Sequence, residues 1–83
     1  MYYVYVLYLK NDDLYIGYTD DLKKRIIYHQ NGQSKFTRPY RPIKLIYYEA
    51  YLAKEDATKR EYYLKTSQQR ELLRRKLQNS LKL

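Results

Sequence analysis

The chain has 83 residues, with 17 Lys and Arg against nine Asp and Glu for a formal charge of +8, thirteen tyrosines and no cysteine. That length is expected to make a single small domain, residues 1–83, with a modest core. The missing cysteines exclude a disulfide framework and a thiolate metal centre, which suits a reducing cytoplasm. The longest apolar run, residues 2–9, is far below the roughly 20 residues of a membrane helix, so the expectation is a soluble, cytoplasmic protein without a membrane partner.

Residues 2–9, YYVYVLYL, are dense in β-branched and aromatic side chains and are predicted to form a strand buried on both faces, central in its sheet. Lys10 to Asp13 supply turn residues that bring the chain back antiparallel into a second strand, Leu14 to Thr19. In that strand Leu14, Ile16 and Tyr18 share one face, Tyr15 and Gly17 the other. Tyr5 and Tyr15 face the same way only if an odd number of residues separates paired positions across the turn. Gly17 marks a bulge or a close approach by another backbone or a ligand.

Thr19, Asp20 or Asp21 caps a helix in which Leu22 and Ile26 are four apart, and Arg25 and His29, also four apart, flank that apolar stripe. Asn31-Gly32 is a left-handed stop. The loop from Gln33 to Pro42 mixes Lys35, Arg38 and Arg41 with Phe36 and Tyr40, a combination suited to phosphates and bases. Ile43 to Tyr51 is a third strand by composition, and Ala53 to Lys65 a second helix with Ala57, Glu61 and Leu64 on one face. Thr66 and Gln69 match a capping box before a last helix to about Leu81, striped by Leu73, Leu77 and Leu81. Residues 66–83 carry five cations and one Glu, so +4 of the +8 lies there, and Arg74 belongs to this group. The expected fold is α+β: a small three-stranded antiparallel sheet flanked by helices, in the order β-β-α-β-α-α.

The charge favours a nucleic-acid partner. Tyr15-Ile16-Gly17, preceded by Tyr3-Val4-Tyr5 and followed by Asp21-Leu22-Lys23-Lys24-Arg25 and His29, resembles the GIY-YIG nuclease domain, and more narrowly its small stand-alone bacterial members, the YhbQ-like group. The resemblance continues through Gly32, Lys35 to Thr37, Pro42 to Leu45, Tyr48-Glu49, Arg60-Glu61 and Leu64-Lys65, most of the chain. It implies roles for Tyr5, Tyr15, Arg25 and His29 in catalysis and for Glu61 as a metal ligand. Three positions depart from the usual pattern: Tyr3 replaces a glycine, Tyr18 a lysine found in some relatives, and Leu73 an asparagine found in many.

Phosphodiester hydrolysis needs a deprotonated nucleophile, a cation for the charge gathering on phosphate and help for the departing oxygen. Glu61 is a hard oxygen donor, and one carboxylate is enough for Mg2+ or Mn2+ when waters and phosphate complete the shell. Glu49 is a weaker rival. Arg25 suits bidentate contact with phosphate oxygens. A tyrosine near pKa 10 needs nearby positive charge to act as base, whereas His29 near 6.5 is already suited to proton transfer, and the choice stays open. Gly17, Lys24, Lys35, Arg38, Arg41 and Arg74 are the residues expected to contact nucleic acid. The leading expectation is a metal-dependent endonuclease acting on DNA. The alternatives are a binding module for branched or single-stranded DNA and, last, a protein-interaction domain with an acidic partner. Specificity would come from DNA shape or a companion protein.

Overall fold

The computed structural model describes residues Met1 to Leu83. Its elements run β1 (Tyr2–Tyr8), β2 (Leu14–Thr19), α1 (Leu22–Gln30), β3 (Lys44–Tyr51), α2 (Lys54–Leu64) and α3 (Ser67–Lys76), with short 3-10 turns at Arg38–Tyr40 and Ser80–Lys82. This is the α+β order expected from the sequence. The sheet is antiparallel in the order β2-β1-β3, which makes the apolar first strand central. A bulge interrupts β1 against β3, where Val6 opposes Tyr47 but Leu7 opposes Leu45, leaving Ile46 as the extra residue.

Alternation along β1 divides the core in two. Val4 and Val6, with Leu14 and Ile16 of β2, pack under α2 and α3 against Ala57, Leu64, Leu73 and Leu77. Tyr5 and Leu7 point the other way, where Leu22 and Ile26 of α1 close over them with Ile43. A strand buried on both faces carries no polar alternation, which is why residues 2–9 look uniformly apolar. No helix is long and apolar enough to cross a membrane.

Local chemistry sets most element ends. Asp21 is the residue that caps α1, accepting from the Lys24 amide at 3.1 Å, while the Thr19 hydroxyl accepts from the Asp21 amide at 3.1 Å. Asp21→Ala is expected to lower stability by about 1 kcal/mol, read as a fall in the thermal midpoint; an unchanged midpoint would mean the cap contributes nothing. Gly32 takes a positive φ of 75° just past α1, as the stop signal required.

The capping box at Thr66 and Gln69 does not form. Thr66 stands at the N-cap of α3, but its hydroxyl donates at 3.0 Å to the carbonyl of Tyr63. Only Lys65 and Thr66 separate α2 from α3, so the Tyr63 carbonyl, at the end of α2 and already met by the Thr66 amide at 3.3 Å, also takes that hydroxyl. The last helix also stops earlier than its stripe suggests, at Lys76; Leu77 remains buried and Leu81 packs against the core from the final 3-10 turn.

Candidate active site

The connection between β1 and β2 decides the site. Tyr8 pairs with Leu14, so the five residues 9–13 lie between them, and this odd spacing puts Tyr5, Gly17 and Tyr15 on one face. Tyr5 is directly opposite Gly17. A Cβ built on Gly17 would lie inside the Tyr5 ring and hydroxyl, so the room left by the absent side chain is filled by Tyr5. Gly17 is buried there and acts through Tyr5, not as an open backbone surface for a ligand.

Helix α1 runs over this face and brings His29 against both tyrosines. The ring centroids of Tyr5 and Tyr15 are 6.4 Å apart, and that of His29 lies 5.7 Å from Tyr5 and 5.2 Å from Tyr15. The Tyr5 hydroxyl and His29 Nε2 form a 2.9 Å hydrogen bond, and His29 Nδ1 and Thr37 Oγ1 one of 2.8 Å. His29 is 1% exposed and Thr37 0%, so both ring nitrogens are engaged out of contact with solvent. Sequence reasoning assigned Thr37 no role. Nothing in local periodicity marks it, because it meets His29 from a loop eight residues further on.

Burial and then the Arg25 charge draw the His29 pKa below its ordinary 6.5, so the imidazole is neutral at neutral pH. Burial pushes the Tyr5 phenol well above 10.0; Tyr15 adds to this, Arg25 opposes it and Glu61 adds again. The sequence suggested that positive charge could make a tyrosine basic. In the folded chain burial outweighs Arg25, and Tyr5 holds its proton at neutral pH.

Arg25 is exposed, with its guanidinium 5.2 Å from the ring centroid of Tyr28 and no carboxylate partner. With Thr19, Asp20, Asp21, Lys24 and Tyr28 it lines an open polar cleft of about 320 Å3. Tyr28, three residues on from Arg25, is a neighbour that helical spacing could have revealed.

Glu61 approaches from α2, which packs on the opposite face of the sheet. Its negative charge adds to the rise of the Tyr5 phenol pKa, after burial and Tyr15. The Glu61 carboxylate is 23% exposed and paired with Lys65 Nζ at 3.0 Å. That i,i+4 pair is worth about 0.3–0.5 kcal/mol, little enough for a divalent cation to replace the ammonium. No three His, Asp or Glu side chains cluster, so a cation there would depend on this one carboxylate, with waters and substrate phosphate, as Mg2+ commonly does.

Glu49 is fully committed elsewhere. It accepts from Tyr47 at 2.6 Å and Tyr51 at 2.5 Å, and from Arg60 Nε at 2.9 Å and Nη2 at 3.1 Å. Burial raises its pKa, but the bonds from Arg60, Tyr47 and Tyr51 prevail and lower it from 4.5 to about 2. A carboxylate with both oxygens so occupied is a structural anion.

The cations expected to meet nucleic acid divide into groups. Lys24 lies in the cleft beside Arg25. Lys35 sits 5.5 Å from the exposed Phe36 ring, and Arg38 is exposed at the start of the 3-10 turn. Arg41 donates at 3.2 Å to the Arg38 carbonyl and at 3.4 Å to that of Gln30, bracing the loop against the end of α1. Arg74 is separate from these: on α3, across the sheet, it holds the carbonyl of Asp12 in the hairpin turn.

The departures also acquire places. Tyr3 lines an apolar groove with Leu22, Ile26 and Leu45. Tyr18 stacks on Tyr2 at 6.4 Å, on the sheet face away from Tyr5 and Tyr15. Leu73 is buried in the core between α3 and the sheet.

Comparison with known proteins agrees with this fold. The GIY-YIG catalytic domain matches residues 1–77. The chain is 47% identical over 73 residues to the UPF0213 protein SSP2268 of Staphylococcus saprophyticus, covering 86% of this chain and 89% of that protein. It is 48% identical over 66 residues to the UPF0213 protein CPE1444 of Clostridium perfringens, covering 78% and 71%. Among solved structures, the solution NMR structure of the UPF0213 protein BH0048 from Bacillus halodurans matches with a TM-score of 0.58 and 38% identity, covering 88% of this chain and 82% of that one. The paired tyrosines of β1 and β2, the Arg and His of α1 and the Glu of α2 thus occur on a nuclease-like fold, and the chain belongs to the GIY-YIG catalytic-domain family, among its small UPF0213 proteins.

Proposed function

We propose that the chain is a metal-dependent endonuclease domain hydrolysing phosphodiester bonds in DNA, with Tyr5, Tyr15, Arg25, His29 and Glu61 as its working residues. The observation that carries this reading is the packing of three proton-bearing rings, with centroids 5.2–6.4 Å apart, one turn of α1 from the exposed Arg25 guanidinium. An exposed guanidinium without a carboxylate partner is free to take two phosphate oxygens and to hold charge that grows on them. Tyr15, half-buried against the rings of His29 and Tyr5, orients the reacting oxygens, and the buried Tyr5 and His29 support it. Mg2+ or Mn2+ held by Glu61 would neutralise phosphate charge. The charge of +8 supplies affinity for the nucleic-acid backbone, with Lys24 in the cleft and Lys35 and Arg38 flanking Thr37 in the loop that meets His29. Specificity then rests on DNA shape or a companion protein.

The test is incubation with plasmid and branched DNA plus Mg2+ or Mn2+. Arg25→Ala and Glu61→Gln, with folding matched by circular dichroism, are each expected to lose cleavage by ~100-fold or more. Cleavage that survives both substitutions would overturn the assignment. A second reading, a binding module with little or no cutting, is favoured by the engagement of Glu61 with Lys65. It predicts binding that weakens steeply with salt and no metal-dependent products.

A further inference from the structure

The chain has thirteen tyrosines and a single phenylalanine, Phe36. A tyrosine can stand at the surface because its hydroxyl meets water, whereas a phenylalanine ring offers water nothing. Phe36 is nevertheless 65% exposed and packs in neither core cluster. The ring best suited to the interior is held outside it.

The backbone that holds it there is firmly fixed. Lys35 and Phe36 form the outer corner of a turn closed at 2.8 Å by the Arg38 amide on the Ser34 carbonyl, and the residues on either side of that corner, Ser34 and Thr37, are buried. Thr37 is bonded to His29 at 2.8 Å, the Gln33 amide to the Tyr28 carbonyl at 3.1 Å, and the Lys10 amide to the Tyr40 carbonyl at 2.9 Å. Helix α1 and the β1–β2 turn therefore both anchor the loop, which presents Lys35, Phe36 and Arg38 to solvent. A ligand that used them would pay little to order the loop.

Charge indicates what the ring meets. Residues 22–48 carry seven Lys or Arg and no Asp or Glu. The Lys35 ammonium lies 5.5 Å from the centroid of the Phe36 ring, and neither Lys35 nor Arg38 has a carboxylate partner. An apolar ring set among free cations suits a polymer that repeats a flat apolar face and a negative charge, as a nucleic-acid strand does. In a duplex each base face is covered by its neighbours in the stack, so a ring on a surface turn meets only edges and phosphates. In a single strand the faces are open.

We infer that Phe36 is a stacking platform for one base of a single-stranded nucleic acid, with Lys35 and Arg38 on the adjoining phosphates. That the strand so held is also the one cleaved rests on the nuclease reading. That Phe36 holds it does not.

The test is fluorescence anisotropy at one low salt concentration, with a chelator present so that nothing is cut. The probes are a labelled oligothymidylate, an abasic strand of the same length and the corresponding duplex. Phe36→Ala is expected to weaken binding to oligothymidylate about fivefold or more, the low end for one stacked base, and to leave the abasic strand and the duplex unchanged. Phe36→Tyr, which keeps a ring, should bind as the unsubstituted protein does. The same loss on oligouridylate would extend the platform to RNA, and a loss on oligothymidylate alone would confine it to DNA. An equal effect on all three DNA probes, or none, would overturn the inference. So would binding to anionic phospholipid vesicles without binding to oligothymidylate. The thermal midpoint of Phe36→Ala should match that of the unsubstituted protein, and a lowered one would assign the ring to the fold and overturn its role as a platform. With Mg2+ restored, cleavage that is indifferent to Phe36→Ala, together with unaltered binding, would remove the platform and keep the nuclease reading. A base-dependent loss of binding in a protein that cuts nothing would do the reverse.

Discussion

Gly17→Ala is expected to disturb the site more than any other change of one methyl group. The new Cβ would fall on the Tyr5 ring and hydroxyl. Tyr5 cannot move aside cheaply, because it is 1% exposed, packed between Gly17 and His29, and tied to Nε2 at 2.9 Å. Forcing a methyl into such packing costs about 1–3 kcal/mol. For a chain of this size each kcal/mol moves the thermal midpoint by roughly 4–8 °C. The variant should therefore melt several degrees lower, and the altered Tyr5–His29 contact should appear in the His29 ring signals. Cleavage should fall about 100-fold, since displacing a reacting group by an ångström has that scale of effect. A variant with an unchanged midpoint and intact His29 signals would show that Tyr5 does not need the bare backbone beneath it. The glycine of Tyr15-Ile16-Gly17 is thus explained by a neighbour ten or more residues away in sequence, the tyrosine of the preceding strand.

Replacing Glu49 should affect stability more than chemistry. Its two oxygens accept from Arg60, Tyr47 and Tyr51, and its side chain is 15% exposed against 32% for Arg60. In Glu49→Gln the amide retains one good acceptor and turns a donor toward the remaining partners, at a cost of about 2–3 kcal/mol after allowance for the partial exposure of Arg60. That corresponds to a fall of roughly 10–20 °C in the thermal midpoint. The pH dependence has a definite sign. The folded-state pKa is depressed from 4.5 to about 2, so the unfolded chain binds the proton first as pH falls. The contribution is complete above about pH 4.5 and is lost as pH drops toward 2. The stability gap between the protein and Glu49→Gln should narrow across that window in denaturant titrations. A gap that stayed constant with pH would show that Glu49 is not held as an anion. Glu49 and Arg60 link β3 to α2, the helix that also carries Glu61, so loss of the pair should loosen the element that presents the proposed metal ligand.

Residue spacing alone was enough to reveal the order of strands and helices. Uniform apolarity marked β1 as the strand buried on both sides, and period-two alternation placed Tyr15 and Gly17 together on β2. The spacings of three and four that align Ala57, Glu61 and Leu64 correctly oriented α2 toward the sheet, with Ala57 and Leu64 buried and Glu61 part-way in. The juxtaposition of Arg25 and His29 was equally visible, because helix geometry is local.

Their different environments were not visible. One turn of α1 separates an exposed guanidinium from an imidazole 1% exposed, and only the arrival of Tyr5 from β1 and Thr37 from the following loop makes that difference. The same holds for the carboxylates. Glu49 and Glu61 are both candidate ligands in the chain, Glu49 the weaker, but what separates them is tertiary: Arg60 and two tyrosines fill every oxygen of the first, while the second meets only a half-exposed lysine. The capping box at Thr66 failed for a related reason, since a carbonyl of the neighbouring helix took the hydroxyl. Backbone preference and amphipathic period depend on neighbours within about four residues, so the sequence by itself determined the elements and the faces they bury. Hydrogen-bond partners and proton positions depend on groups brought in from other elements, so only the tertiary structure decided which side chains are free to act and which are already satisfied.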